Sequence, residues 1–101
     1  MPFFTIHALD GPGKATARAE ARPSHRARLR EHDHDLTVRV GGPLLDEKGD
    51  MCGTLLVVEA EDKSKVVAFL QGDPYSQSGV YQTVEIHEFN WGLGQPEVAN
   101  G

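Results

Sequence analysis

The sequence predicts a single α+β domain whose elements follow the order β-α-β-β-α-β. Four short segments are rich in β-branched and aromatic residues, two further segments have helical composition, and turn-forming residues separate them. Two right-handed βαβ crossovers then produce a four-stranded antiparallel sheet with both helices on one face, which is the ferredoxin-like arrangement. A chain of 101 residues supports one modest hydrophobic core.

Two strands are predicted in the first half of the chain. Residues 3–9 are aromatic and β-branched, and the turn signal Asp10-Gly11-Pro12-Gly13 follows them. Residues 35–40 alternate between apolar and polar side chains, which is typical of a half-buried strand. The apolar residues expected on one face of this strand are Leu36, Val38 and Val40. We expect Gly41-Gly42-Pro43 to end the strand and residues 44–53 to form a loop.

The helix between these strands is predicted over residues 14–33, which are rich in alanine, arginine and glutamate. Pro23 either kinks this helix or lies in the first turn of a second helix, where a missing N–H costs nothing. We favour the second arrangement, which places Ser24 and His25 in an exposed first turn. Leu29 is the main large apolar residue, so the helix covers the sheet thinly or leaves space beneath it.

The second half of the chain contains a buried strand, a short helix and a final strand. Residues 54–60 are almost continuously apolar, which favours a central strand covered on both faces. Residues 61–71 are amphipathic, and Glu61 or Asp62 is placed to cap this helix. The residues of this helix expected to face the sheet are Val66, Val67, Phe69 and Leu70. The final strand is predicted at residues 80–89.

These elements assign residues 1–92 to the domain and residues 93–101 to a flexible C-terminal tail. With both helices on one face, the opposite face of the sheet is bare, and an apolar sheet face is too large to remain in water. A second copy of the chain is the simplest cover, so we expect a symmetric homodimer.

Composition and charge narrow the class of protein. The net charge is −5, but six of the ten basic residues lie between Lys14 and Arg30, while thirteen of the fifteen acidic residues follow Arg30. No aromatic residue lies among these arginines to stack on bases, so we expect no nucleic-acid binding. The longest apolar run, at residues 66–70, is far shorter than the ~20 residues of a membrane span. The start of the chain has no signal-peptide pattern, so we expect no membrane association and a cytoplasmic location.

Metal binding is not expected. The run His32-Asp33-His34-Asp35 contains metal-ligating residue types, but adjacent ligands at a helix end rarely converge, and the chain has no H-E-x-x-H pattern. We interpret this run as a solvated, charge-mixed helix terminus. The single cysteine, Cys52, excludes an internal disulfide and a cysteine-based metal site. We expect no other cofactor.

Several short motifs, in order along residues 3–91, resemble the YciI-like, or YCII-related, domain family. The matching motifs are Arg22-Pro23-Ser24-His25, Arg28-Leu29, Gly42-Pro43, Gly49, Gly53, Asp73-Pro74-Tyr75 and Gly79-Val80-Tyr81. The resemblance implies a ferredoxin-like fold that forms dimeric α/β barrels, similar to muconolactone isomerase. One relative in this family acts as a dehydrochlorinase on a chlorinated aromatic. The chain departs from the common family pattern at Arg26 and His32, where leucines are frequent.

The same resemblance implies that His25 and Asp73 are active-site residues. An imidazole can take and return a proton near neutral pH. Because Asp73 precedes Pro74, its backbone is expected to be extended, which fixes the direction of the carboxylate. If that carboxylate reaches a ring nitrogen of His25, it selects the tautomer and stabilises the imidazolium. The residues alone also allow local roles, a hydrogen bond within the helix for His25 and an Asx turn or helix cap for Asp73.

Three further residues are candidates for substrate binding. Arg22 can hold a carboxylate or a developing enolate beside the N–H groups of a helix start, or it is an ordinary surface arginine. Ser24 more often caps or hydrates a helix start than attacks a carbonyl, and no G-x-S-x-G motif is present. Tyr75 either lines the pocket or packs.

We therefore predict a small cofactor-independent enzyme in which a His25–Asp73 dyad transfers a proton on a small organic substrate. Lyase, isomerase and dehalogenase chemistry are all compatible with such a dyad. The pocket is expected between the first helix and the sheet. The alternative is a non-catalytic dimeric module that binds a metabolite or a protein, in which the dyad is structural.

Overall fold

The computed structural model describes residues 1–31 and 34–94. The elements, in chain order, are β1 (Phe3–Asp10), α1 (Ala15–Leu29), β2 (Leu36–Leu45), β3 (Met51–Ala60), α2 (Lys63–Gln71), α3 (Pro74–Gln77) and β4 (Tyr81–Phe89). The strands form one sheet in the order β2-β3-β1-β4, and neighbouring strands are antiparallel. This confirms the predicted ferredoxin-like arrangement, to which the structure adds the short helix α3.

The hydrophobic core lies between the sheet and α2. The strand pairing places Ile6 of β1 opposite Leu56 on one side and opposite Ile86 on the other. Because side chains alternate between faces along a strand, these residues share the face that the helices cover. The buried core consists of Phe4, Ile6, Leu36, Leu56, Val58, Ala60, Val66, Phe69 and Leu70.

Helix α2 supplies three of these core side chains. Its predicted N-cap is confirmed, because the side chain of Asp62 accepts a hydrogen bond from a backbone N–H of the first turn. Val66, Phe69 and Leu70 are buried, whereas Val67 is 39% exposed. The prediction that Val67 faces the sheet is therefore wrong. One residue turns a helix by about 100°, so Val67 points away from the face that Val66 presents to the sheet.

Helix α1 is one continuous helix that passes through Pro23. The prediction that a second helix begins at Pro23 is therefore wrong. The proline is exposed, and the helix loses only the hydrogen bond that residue 23 would donate to the carbonyl of Ala19. Ser24 and His25 consequently lie in the middle of a 15-residue helix, where Ser24 is exposed and His25 is buried.

Strand β2 continues beyond Val40 through Gly41-Gly42-Pro43, where the sequence predicts its end. It is an edge strand, a position in which proline is tolerated. The register shifts between Val38 and Val40, which align with Val58 and Val57 respectively. Neighbouring residues of β3 face opposite sides of the sheet, so this β-bulge moves Val40 to the face opposite Val38. The prediction that both share one face is wrong for that reason.

The connection from β2 to β3 is a tight turn, shorter than the loop predicted over residues 44–53. Oδ1 of Asp46 accepts two backbone N–H bonds within it, at 2.9 and 3.0 Å. Gly49 has a φ angle of 86°, a left-handed conformation that glycine adopts without steric cost. These local bonds allow β3 to begin at Met51, ahead of its predicted start.

The sheet face opposite the helices carries apolar side chains. Val40 and Leu55 are exposed on it, at 46% and 37% respectively. After β4 the chain turns back, and the Trp91 ring packs edge-on against Phe3 and Phe89. A part of this face is therefore covered by aromatic contacts, while the part near β2 is not.

Two sequence predictions fall partly outside the described residues. His32 and Asp33, from the run interpreted as a charge-mixed terminus, lie outside the described residues. Of the predicted tail at residues 93–101, residues 95–101 also lie outside them. Within the described ranges, none of the helices has the length and apolar character that a bilayer span requires.

Candidate functional site

His25 and Asp73 are in direct contact although they lie 48 positions apart in the chain. Nδ1 of His25 is 2.8 Å from Oδ1 of Asp73, and both side chains are almost completely buried. Helix α1 supplies the histidine, and the residue that begins α3 supplies the aspartate. The structure thus brings together the two residues that the sequence predicts as a dyad.

Asp73 also caps α3. Its Oδ1 accepts a hydrogen bond from the backbone N–H of Tyr75 at 3.0 Å, its backbone is extended, and Pro74 occupies the first turn. Both interpretations of Asp73, as a helix cap and as a partner of His25, are therefore realised at one oxygen atom. The other oxygen, Oδ2, is buried and has no hydrogen-bond partner within residues 1–31 and 34–94.

The contact with Asp73 determines which ring nitrogen of His25 is available to a ligand. A carboxylate accepts hydrogen bonds, so the proton of the neutral imidazole lies on Nδ1 and the lone pair lies on Nε2. In the part of the chain that the structure describes, Nε2 makes no hydrogen bond. Because His25 lines a cavity, its Nε2 can accept a proton from a molecule bound there.

Tyr75 holds the histidine ring from another direction. The two rings are stacked, with their centroids 3.9 Å apart and their planes 21° from parallel. The guanidinium carbon of Arg18 lies over the same tyrosine ring, 4.4 Å from its centroid. Burial raises the pKa of the Tyr75 hydroxyl, so this side chain remains neutral. Tyr75 therefore both packs and lines the cavity.

Arg18 is the functional-site residue that sequence reasoning missed. It is 4% exposed, and its guanidinium donates to both oxygens of Asp10, at 2.6 and 3.1 Å. Burial alone would lower its pKa, but the hydrogen bond and the charge of Asp10 outweigh burial and raise the pKa above the ordinary arginine value. The signal available in the sequence was position, because Arg18 precedes His25 by seven residues and thus lies on the same helix face.

Thr54 and Tyr81 complete this polar cluster. Oγ1 of Thr54 accepts hydrogen bonds from Arg18 at 2.7 Å and from the Tyr81 hydroxyl at 3.0 Å. Burial raises the pKa of Tyr81, and the hydrogen bond to Thr54 opposes that rise only in part. Tyr81 belongs to the Gly79-Val80-Tyr81 motif, which is one of the motifs that carry the family resemblance. The sequence predicts no function for this motif.

A cavity of about 450 Å³ lies between α1 and β2, where the sequence predicts space beneath a thinly covering helix. Of the predicted site residues, Arg22, His25 and Tyr75 line it, and Asp73 lies behind His25. Ser24 does not line it, because the continuous helix turns this side chain outward. The remaining lining residues are Arg18, Arg26, Leu29, Arg30, Val38, Arg39, Val40, Gly41, Gly42, Pro43 and Thr54.

Metal-ligating side chains are dispersed in this structure. Among the described residues, no three side chains of histidine, cysteine, aspartate or glutamate lie close enough to hold a metal ion. The chemistry of the cavity wall is therefore that of an imidazole, guanidinium groups and hydroxyls.

The sequence matches a known domain over most of its length. The family model of the YCII-related domain covers residues 2–90. Protein YciI of Escherichia coli O6:H1 is 29% identical over 93 residues, which cover 86% of this chain and 95% of that protein. Protein YciI of Shigella flexneri matches equally well.

Solved structures with the same fold include a dehydrochlorinase. The 5-chloro-2-hydroxyhydroquinone dehydrochlorinase (TftG) of Burkholderia phenoliruptrix, in complex with 2,5-dihydroxybenzoquinone, is 28% identical and superposes with a TM-score of 0.78, covering 89% of this chain and 95% of that one. A candidate antibiotic biosynthesis monooxygenase from Bacteroides thetaiotaomicron is 11% identical with a TM-score of 0.58, covering 96% and 92% of the respective chains. The second likeness concerns the fold alone.

The fold and these likenesses define the class, a ferredoxin-like α+β domain. Within that class, the chain belongs to the YCII-related domain family.

Proposed function

We propose that this protein is a small cofactor-independent enzyme that transfers a proton on a small organic substrate. His25 is the acid/base group, and Asp73 orients it. The observation that carries the proposal is the 2.8 Å contact between these buried side chains at the wall of a cavity of about 450 Å³. Lyase, isomerase and dehalogenase reactions can each begin with such a proton transfer.

The proton passes from the substrate to Nε2 of His25. The resulting imidazolium keeps its Nδ1 proton in the hydrogen bond to Asp73, and the buried carboxylate offsets the new positive charge. In an isomerase the same proton returns to a different atom of the substrate. In a lyase or a dehalogenase the electron pair left on the substrate forms a double bond and expels an anion, and the proton on Nε2 is released later.

Arg22 and Tyr75 position the substrate in this proposal. Both line the cavity with His25, and the guanidinium of Arg22 stabilises negative charge that develops as the proton leaves. Ser24 has no part in the proposal, because it is exposed outside the cavity. Stacking on Tyr75 restricts rotation of the His25 ring and so keeps Nε2 directed at one place.

The likeness to TftG supports a small-molecule substrate. That protein is a dehydrochlorinase of 5-chloro-2-hydroxyhydroquinone, and its structure holds 2,5-dihydroxybenzoquinone. Because the two chains are 28% identical and superpose with a TM-score of 0.78, we infer that the cavity here takes a substrate of comparable size. We infer compact organic molecules with several oxygen substituents as the substrate class.

We further infer that the protein acts as a cytoplasmic homodimer. Val40 and Leu55 are exposed on the sheet face that the helices leave uncovered, and a second copy of the same face would bury them. Sedimentation equilibrium measures the assembly directly. A monomer at micromolar concentration would contradict this part of the proposal.

The acid/base role of His25 is tested by deuterium incorporation. Compounds that bind are incubated with the protein in D₂O, and exchange of their hydrogens is followed by ¹H NMR, which detects proton transfer even without net turnover. His25→Ala is expected to slow the exchange by about 100-fold or more. Exchange at the wild-type rate in this variant, or no exchange into any bound compound, would refute the role.

A matched histidine variant controls for general effects of the substitution. His34 lies outside the cavity, where its ring packs against Phe69 and contacts the carbonyl of Arg28. His34→Ala is therefore expected to retain the wild-type exchange rate at a temperature at which it is folded.

A second function, a non-catalytic dimeric binding module, is favoured by one observation. Oδ1 of Asp73 caps the start of α3 and also contacts His25. A helix cap is the role expected of a residue that stabilises the fold. Asp73→Asn separates the functions, because the amide oxygen still accepts the Tyr75 N–H while the charge is lost. A substantially lower Tm would indicate a structural dyad. An almost unchanged Tm with strongly reduced proton exchange would indicate an acid/base dyad.

A further inference from the structure

The cavity wall is strongly basic. Five arginines line it, and none of the lining residues is acidic. Four of the arginines recur at every fourth residue, three within α1 and one at its C-cap, and the fifth lies on β2: Arg18, Arg22, Arg26, Arg30 and Arg39. Residues four apart lie on the same helix face, so the four form one continuous row. Like charges at this spacing disfavour the helix, which makes an unrelieved row costly.

Two of the five arginines are neutralised by carboxylates of the protein, and the other three are not. Arg18 is paired with Asp10 at 2.6 Å, and Arg39 is paired with Glu59 at 2.7 Å. Three arginines of the cavity have no carboxylate within salt-bridge distance in the described ranges 1–31 and 34–94: Arg22, Arg26 and Arg30. The cavity thus presents uncompensated positive charge in a protein whose net charge is −5.

The uncompensated charges bracket His25. Successive arginines of the row are displaced by about 6 Å along the helix axis, because each residue rises about 1.5 Å. His25 lies between Arg22 and Arg26 in the chain, and all three side chains line the same cavity. Guanidinium groups bind carboxylates through two parallel hydrogen bonds, so each of these arginines is suited to one carboxylate.

We propose that the ligand of this cavity is a small dianion, with one carboxylate on Arg22 and the other on Arg26, so that the carbon skeleton between them lies against His25. The role of His25 rests on the proposed function, whereas the charge selectivity does not. The dianion neutralises two guanidinium groups at once, so occupancy removes the like-charge repulsion along α1.

A nucleic acid is disfavoured as the ligand. The row of arginines faces β2 across a cavity of about 450 Å³, and Gly41, Gly42 and Pro43 form part of the opposite wall. A phosphodiester chain needs an open groove and aromatic rings on which bases stack. The only aromatic side chain among the lining residues is Tyr75, and the His25 ring already stacks on it.

Rigid aromatic carboxylates test the proposal by titration calorimetry at low salt. Benzoate carries one carboxylate, and isophthalate and terephthalate carry two at fixed separations. We expect at least one of the two dianions to bind at least 10-fold more tightly than benzoate. Arg22→Gln and Arg26→Gln should each remove most of that advantage, and added NaCl should weaken dianion binding more than benzoate binding. Lys63→Gln, an exposed cation on α2, is the matched control and should change nothing.

Four results would overturn the proposal. Three of them are equal affinity for benzoate and both dianions, no measurable binding of either dianion, and an undiminished dianion advantage in both arginine variants. Displacement of the bound dianion by a single-stranded oligonucleotide at equal phosphate concentration would also overturn it, because it would identify the row as a nucleic-acid surface.

The outcomes separate this proposal from the proposed function. Selective dianion binding that depends on Arg22 and Arg26, without deuterium incorporation, would leave the ligand class standing and remove the acid/base role. Deuterium exchange that depends on His25 but shows no preference for dianions would support the acid/base role and refute the dianion as the ligand class.

Discussion

Helices α1 and α2 cover the same sheet face but bury opposite kinds of side chain. Helix α2 buries Val66, Phe69 and Leu70 in the core. Helix α1 buries only Arg18 and His25, and each is held by an ion pair or a hydrogen bond to an aspartate. Apolar burial stabilises by about 2 kcal/mol for each large side chain, whereas buried polar groups at best offset their own desolvation.

The difference explains where the cavity forms. A helix that directs large apolar side chains at a sheet fills the space between them, as α2 does. Helix α1 contributes Leu29 at its end and otherwise alanines and polar residues, so the sheet beneath it stays partly uncovered. The α2 side of the domain is therefore expected to determine stability, and the α1 side to determine binding.

The largest effect is expected from removing an α2 core side chain. Phe69→Ala should reduce the free energy of unfolding by about 4 kcal/mol, because it leaves a cavity in the core and removes the ring over which the Arg28 guanidinium lies. Urea denaturation measures the loss. Val67→Ala, on the exposed side of the same helix, should change stability by about 0.5 kcal/mol or less. Similar losses in both variants would contradict the division between the helices.

Breaking the polar anchor of α1 should have the next largest effect. Arg18→Met leaves the mostly buried carboxylate of Asp10 without its counter-ion and should cost about 3 kcal/mol. The double variant Asp10→Asn/Arg18→Met should regain part of that loss, since no buried charge is then left unpaired. A double-mutant cycle in urea gives the coupling energy. Additive losses would show that Arg18 stabilises the fold through its contacts with Tyr75 and Thr54, and not through Asp10.

Replacing the proline within α1 should have a smaller effect of opposite sign. Pro23→Ala restores the N–H that can bond to the carbonyl of Ala19 and should stabilise the protein by about 1–3 kcal/mol. Thermal unfolding measures the gain, with Ser24→Ala as the exposed neighbouring control. A lower Tm in Pro23→Ala would mean that proline begins a helix here, against the continuous helix observed.

The smallest effect is expected at Tyr81. Tyr81→Phe should cost about 1 kcal/mol near neutral pH, because it removes the hydrogen bond to Thr54. Burial raises the pKa of Tyr81 in the folded protein, so the unfolded chain releases this proton first as the pH rises. Stability should thus be constant below about pH 10 and fall above it. Urea unfolding across this range should show a shallower decline in Tyr81→Phe, with a remainder due to Tyr75. Equal slopes would exclude Tyr81 as the cause.

Most of the fold could be predicted because the signals for its strands and for α2 lie within or directly beside those segments of the sequence. Apolar alternation, turn residues and the Asp62 cap place β1, β3, α2 and β4 within three residues of their observed bounds. The predictions at Pro23 and at Gly41-Gly42-Pro43 failed because each assumes that proline or glycine ends a helix or strand regardless of the tertiary surroundings. Whether a proline ends an element depends on its tertiary position, which here is a solvent-facing side of a helix and an edge strand.

The site could be predicted in part, for a related reason. Family motifs indicated His25 and Asp73, and the structure brings them into contact, while their role stays a proposal. Arg18 was missed because a charged helix residue is normally solvated, and only the approach of Asp10 and Thr54 makes its burial favourable. The spacing of Arg18 and His25 indicates a shared helix face, but the contacts of Arg18 with Asp10 and Thr54 have no signature in residue spacing.

The double use of one oxygen at Asp73 has a consequence for saturation mutagenesis. An asparagine at this position can still begin α3, but it leaves no negative charge beside His25. A library scored for folding alone would therefore accept this replacement, and a library scored for turnover would reject it. Position 73 is where the two rankings should diverge most, whereas at Phe69 they should agree, since loss of the core removes both properties together.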